Sequence, residues 1–179
     1  MKNMLVILFL YHSHAHGASE VNIPKKIICE NQNLKLQGSG VRTATIFKIK
    51  IYELGIYSKH PNFYDRPACY EITYFRDFDH EDVVKAWNYQ FKESSEYAYP
   101  DSSNDLIKLK SFFSKIAGQR KHTFTLIKDT TRIYENGVLK GEIKGKDFQK
   151  SFISIWTGKN PPTEQLQKEL FKTMIKEKF

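Results

Sequence analysis

The sequence predicts an α+β fold, with a large antiparallel sheet and helices layered on one face. Three observations lead there. Apolar residues alternate with period two in two blocks, around 26–75 and 122–143. Segments of helical period follow each block, from 79 to 117 and again from 147 onward. An Asn136-Gly137 pair between two alternating arms marks a type I′ hairpin, and so antiparallel pairing. The order of strands, two helices, strands and two helices suggests this class.

The elements follow in order. MKNMLVILFL is one lysine and a short apolar run, and a polar segment with small residues, AHGASE, comes after it. That is the outline of a secretory leader, with cleavage near Gly17 or Ala18. The run is well short of the roughly 20 apolar residues of a spanning helix. The alternative is an uncleaved anchor. The expected division is thus a signal peptide at 1–18 and one domain at 19–179, periplasmic or secreted. His12, His14 and His16 alternate within the leader, which argues against a metal role in the mature chain.

KIICE and LKLQ are short strands. The stretch GSGVRTATIFKIKIYELGIYSK, residues 38–59, reads as a long strand fed by a small-residue loop, with Phe47, Ile49 and Ile51 set against Lys48 and Lys50. HPNFYDRP breaks it and CYEITYF is the next strand. Asp79 suits the N-cap of a helix, Asp82 its first turn, and Phe78 and Val83 a hydrophobic staple. Val83, Val84, Trp87 and Phe91 form its inner face. A second helix runs from about Asn104 to Ala117, with Leu106, Leu109, Phe113 and Ile116 inward and Gly118 as its stop. HTFTLIKD is a strand, and the Asn-Gly hairpin follows. Asp147 then caps a helix whose Phe148, Phe152, Ile155 and Trp156 face inward. After Pro161-Pro162 a last helix carries Leu166, Leu170 and Met174 on one side. Lys168, Lys172 and Lys176 run down the other, either a solvated face or a contact for anionic membrane.

Composition excludes a disordered chain: aromatics are 14% and hydrophobics 40% of 179 residues. Lysine plus arginine outnumber aspartate plus glutamate by 28 to 20, which favours acidic partners. The lysines are spread along the chain, and with the leader this argues against nucleic acid. Cys29 and Cys69 either pair, as exported cysteines do, or stay as two buried thiols. No G-x-S-x-G, H-E-x-x-H or P-loop occurs. His60, His80 and His122 read as exposed residues near loops, so no metal or other cofactor is expected.

Two residues point to a ligand. Arg42 stands between Gly40 and an apolar run, where its guanidinium needs an anion or several acceptors. Its planar fork suits a carboxylate or an enolate-like oxygen; the alternative is a structural salt bridge. Tyr52 joins an apolar ring to a polar tip, and a plain core tyrosine is its alternative. Ten residues of straight strand span about 33 Å, so the two can share one carboxylate only if residues 43–47 fold back.

LQGSGVR, IYELGIY, ITYFRDFDHEDVVKAW and YENGVLKGEIKGKDFQKSFISIWTGKNPP together resemble the chalcone isomerase-like family, from about Leu34 to Phe171. The resemblance implies an open-faced β-sandwich with one ligand cleft. The catalytic branch combines the G-V-R arginine with a threonine, a tyrosine, an asparagine and a late hydroxyl residue. Arg42 matches the arginine and Asn88 the asparagine. The threonine position holds Tyr52, the tyrosine position falls near Glu81, and the late hydroxyl position holds Ile155. These departures argue against chalcone cyclisation. Fatty-acid-binding relatives carry a tyrosine in place of the threonine and use it with the arginine on the carboxylate. The expectation is therefore a non-catalytic binder of a small amphipathic carboxylate such as a fatty acid, with Arg42, Tyr52 and Asn88 as ligand residues. The alternative is an isomerase or lyase in which Arg42 stabilises an oxyanion.

Overall fold

The computed structural model describes residues 23–94, 97, 99–100 and 102–176. The expected leader and its three histidines lie outside the described residues. Among the described residues, seven antiparallel strands lie side by side in chain order: β1 (Lys26–Cys29), β2 (Gln32–Ala44), β3 (Ile49–Ser58), β4 (Ala68–Tyr74), β5 (Lys121–Ile127), β6 (Thr130–Glu135) and β7 (Val138–Lys144). Helices α1 (His80–Tyr89) and α2 (Asn104–Ser111) fall between β4 and β5, and α3 (Lys146–Thr157) and α4 (Glu164–Lys176) follow β7. A π-helical turn, Gln90–Ser94, extends α1.

The helices lie on one face of the sheet. Leu54, Ile56, Tyr70, Ile72, Phe124 and Ile133 supply the sheet side of the core. Phe148, Phe152, Ile155 and Trp156 of α3, Val83 and Trp87 of α1, and Leu166 and Leu170 of α4 supply the helix side. Aromatic rings dominate: Phe152 lies 4.7 Å from Phe124 and 5.0 Å from Trp156, centroid to centroid. Each such side chain, fully buried, contributes about 1.5–3 kcal/mol.

The expected long strand at 38–59 is two strands. β2 ends at Ala44, residues 45–48 turn, and β3 returns from Ile49. Thr45 (φ 64°) and Lys48 (φ 51°) take left-handed backbone, usually glycine's role. Two bulges tune this hairpin. One, between Leu36 and Gly38, puts Leu36 opposite Tyr57 but Gly38, Gly40 and Arg42 opposite Ile56, Leu54 and Tyr52 on the core face. The other, between Arg42 and Thr43, leaves Ile51 without a partner on β2.

The two glycines make room for α4. A Cβ on Gly38 would stand 2.6 Å from the Leu170 carbonyl oxygen, and one on Gly40 would stand 2.9 Å from Glu169 and Leu166 side-chain atoms. Glu169 in turn accepts a hydrogen bond from the Val41 N–H at 2.9 Å.

Cys29 and Cys69 are joined by a disulfide. They belong to β1 and β4, three strand spacings or about 14 Å apart in a flat sheet, yet their Cα atoms are 6.6 Å apart. The sheet therefore curls, bringing the β1–β2 hairpin over its outer face. Leu34, Tyr57 and the two cysteines form a second, small core there. Glu30 accepts hydrogen bonds from Thr125, Arg132 and Tyr134 across the curl.

Four local expectations need correction. α2 stops at Ser111, and Phe113 and Ile116 reach the core from an irregular segment in which Ile116 bridges Phe78. The N-cap of α3 is Gly145, and Asp147 lies in its first turn. Asp79 is an N-cap by backbone only; its carboxylate instead lies 3.6 Å from the Lys115 ammonium. His122 is buried, not exposed, because its position on β5 points to the core face beside Tyr74 and Phe113.

Candidate functional site

A cleft lies between α1 and the sheet end formed by β2, β3 and β4. It holds about 540 Å³ of atom-free space, its open mouth included. Tyr52, Ile72, Trp87, Ile116 and Trp156 are buried and form its floor. Arg42, Ile51, Phe78 and Asp82 are partly exposed, Ala86 is exposed, and together these mark the mouth. The helical spacing of Val83, Trp87 and Gln90 sends all three into the cleft from one side of α1 and its π-helical extension. On the sheet side the Arg42–Thr43 bulge adds Ile51.

Arg42 and Tyr52 are directly opposite each other across the β2–β3 ladder, and the guanidinium carbon lies 5.7 Å from the Tyr52 ring centroid. The fold-back at 45–48 closes the distance that a straight strand would impose. Arg42 Nε is buried without a hydrogen-bond partner. No ion pair among the described residues includes Arg42.

The Tyr52 oxygen accepts a hydrogen bond from Trp156 Nε1 at 2.9 Å. Its own O–H therefore remains to donate. Burial pushes the Tyr52 pKa up, against the opposing pull of Arg42 and the Trp156 N–H, so the phenol stays neutral. Burial likewise pushes up Tyr74, whose ring meets that of Tyr52 edge-on at 6.2 Å. The site thus presents one permanent cation and the neutral phenols of Tyr52 and Tyr74 on an apolar floor, with Asp82 at its mouth. Gln90 adds an amide whose Oε1 is buried without a partner.

The structure does not bring Asn88 together with Arg42 and Tyr52. It lies on α1 beside Trp87 but outside the cleft lining, and its amide oxygen accepts from Lys110 Nζ at 2.9 Å. Glu81 is exposed, 3.8 Å from Lys85. Ile155 is buried in the core, and its neighbour Trp156 lines the cleft instead. Trp156 and Gln90 were not singled out as site residues from sequence. Their signal was present only as helix periodicity, which does not distinguish core from cleft. Among the described residues, no group of three His, Cys, Asp or Glu side chains could hold a metal ion.

A family profile described as chalcone isomerase-like matches residues 15–171. The chain belongs to the chalcone isomerase-like family. The crystal structure of an Arabidopsis thaliana fatty-acid binding protein shares the fold, with a TM-score of 0.60 at 13% identity. The similarity covers 83% of this chain and 97% of that one. No curated protein matches the sequence. In this chalcone isomerase-like chain the family's curled antiparallel sheet and helical layer are both present.

Proposed function

We propose that this chalcone isomerase-like protein binds a fatty acid or similar amphipathic carboxylate, with the head group on Arg42 and Tyr52 and the chain in the apolar cleft. One observation carries the reading: a guanidinium with a buried, unpartnered Nε stands beside a phenol that has a hydrogen left to donate. A carboxylate satisfies both, because it is anionic and accepts at two oxygens. The apolar floor then supplies about 0.8 kcal/mol per buried methylene. The fatty-acid binding protein of the same fold supports this choice of ligand class.

The reading is of binding rather than turnover. An isomerase would need a positioned acid or base beside Arg42 and hydroxyl groups at the late position. That position is Ile155, a core side chain. We further propose that residues 19–179 act outside the cytosol after removal of the leader. The Cys29–Cys69 disulfide supports this, since structural disulfides persist in oxidising compartments.

The test is mass spectrometry of protein isolated gently from its native compartment, followed by titration with dodecanoate. Bound fatty acid is expected, and Arg42→Gln should weaken binding roughly tenfold to a hundredfold, the worth of a charge-assisted hydrogen bond. Empty protein, with no thermal shift on adding fatty acids, would end the proposal.

A further inference from the structure

In an up-and-down sheet, alternate strand ends share one side. The β2–β3 turn at 45–48, the Tyr74 end of β4 and the β6–β7 turn at Asn136-Gly137 therefore lie at the same end. That is the end where the cleft opens, since Arg42, Ile51 and Phe78 belong to its mouth.

Both hairpins there carry consecutive apolar side chains turned outward. Ile46 is 89% exposed and Phe47 79%; Val138 is 65% exposed and Leu139 52%. Single exposed apolar residues are ordinary, and Ile28, Tyr64 and Ile107 are of that kind. Two adjacent pairs on neighbouring tips are not scattered. β3 and β6 are three strand spacings apart, about 14 Å along the sheet. Exposed Lys48 and Lys50 follow the first pair and exposed Lys140 the second. Three acidic groups at this end are engaged within the chain: Glu135 with Arg120 and Lys140, Asp79 with Lys115, and Asp77 with the Gly118 N–H.

We propose that these two hairpin tips seat the protein on an anionic lipid bilayer, with Ile46, Phe47, Val138 and Leu139 entering the interface and Lys48 and Lys50 meeting the head groups. Apolar tips bordered by lysines match the layered polarity of such a surface. The net charge of +8 over the full chain, to which the leader contributes only Lys2, adds long-range attraction. Seated this way, the mouth of the cleft faces the membrane, where free fatty acids partition. That purpose rests on the proposed ligand class, but the contact itself does not.

Sedimentation of the folded protein with vesicles tests the contact. Binding is expected to vesicles of phosphatidylcholine with phosphatidylglycerol, and weakly or not at all to phosphatidylcholine alone. The double variant Ile46→Ser/Phe47→Ser should lose about tenfold or more of this binding. Each of Lys48→Gln and Lys50→Gln should lose about fivefold. Phe47→Trp should show blue-shifted emission on mixing with the anionic vesicles. Melting temperature and affinity for dodecanoate in free solution should be unchanged in the serine variant, so the cleft reading stands or falls separately. The proposal is overturned if wild-type protein ignores anionic vesicles or if the serine variant binds them equally well. Loss of binding in Lys168→Gln/Lys172→Gln instead would assign the contact to α4. A dimer in solution that the serine variant dissolves would assign the tips to a second copy of the chain.

Discussion

Trp156 of α3 donates its indole N–H to the Tyr52 hydroxyl, 104 residues away, at 2.9 Å. The bond joins the last buried aromatic of a helix to the cation-bearing hairpin, and it fixes which way the phenol can donate. Trp156→Phe should therefore keep the cleft's shape but free the phenol to rotate. Its effect on dodecanoate affinity should approach that of Tyr52→Phe, about twofold to tenfold for a neutral hydrogen bond. The double variant should cost little more than either single one, because both remove the same donor geometry. A titration series across the four proteins measures this; additive losses would show that the two act separately.

Neither Gly38 nor Gly40 should tolerate a side chain. The Cβ of Gly38→Ala would meet the Leu170 backbone, which moves only with α4. A loss of about 1–3 kcal/mol in urea unfolding is expected there. The Cβ of Gly40→Ala meets Glu169 Cβ, which also moves only with α4, and Glu169 Oε2, which turns aside only by giving up its bond to the Val41 N–H, so its loss should be at least as large.

Removing the disulfide should leave the ligand site intact. The bridge closes a separation of 40 residues, and loop entropy puts its worth at about 4 kcal/mol. Cys29→Ala/Cys69→Ala should lower the unfolding free energy by that order, and reduced wild type should match it. Dodecanoate affinity should hold, since the bridge belongs to the outer core rather than to the cleft.

His122 should make stability depend on pH. Burial pushes its pKa down to about 4 from 6.5, more than the nearby Glu135 carboxylate restores. The unfolded chain then takes up the proton first as pH falls. Stability is full above about pH 6.5 and declines toward pH 4, by up to about 3 kcal/mol, then stops changing from this cause. His122→Phe should flatten that slope in denaturant titrations from pH 7 to pH 4. An unaltered slope would assign it to other groups.

Much of this was legible from sequence, and the exceptions have physical reasons. The sheet-plus-helices class, the Asn136-Gly137 hairpin and the cation at the mouth of the cleft follow from alternation, turn chemistry and the cost of burying Arg42. The Asn136 and Gly137 backbones are indeed left-handed. The β2–β3 turn was hidden because Thr45, Ile46, Phe47 and Lys48 contain no turn former, and their apolar pair reads as continued alternation. Left-handed threonine and lysine cost more than glycine would, and the ladder on either side holds them there together with bonds from the Lys48 N–H to the Thr45 carbonyl and from the Phe47 N–H to the Thr45 hydroxyl. The burial of His122 was equally hidden. Strand alternation gives two faces, but only tertiary packing decides that 122 shares the face of Phe124. Pairing of Cys29 with Cys69 needed the curl of the sheet, which no local pattern encodes. Asn88 matched by residue type alone, and one step around a helix turns a side chain about 100°, toward Lys110 rather than the cleft.

The carboxylate of Glu169 on the Val41 N–H has a further consequence. β1 pairs with β2 only as far as Lys35, so the remainder of β2 is an outermost strand. Such a border, left bare, invites another chain to add its own strand and start a polymer. By lying over it, the terminal helix shields the protein from its own neighbours, and trimming that helix should yield aggregates before it yields a merely looser monomer.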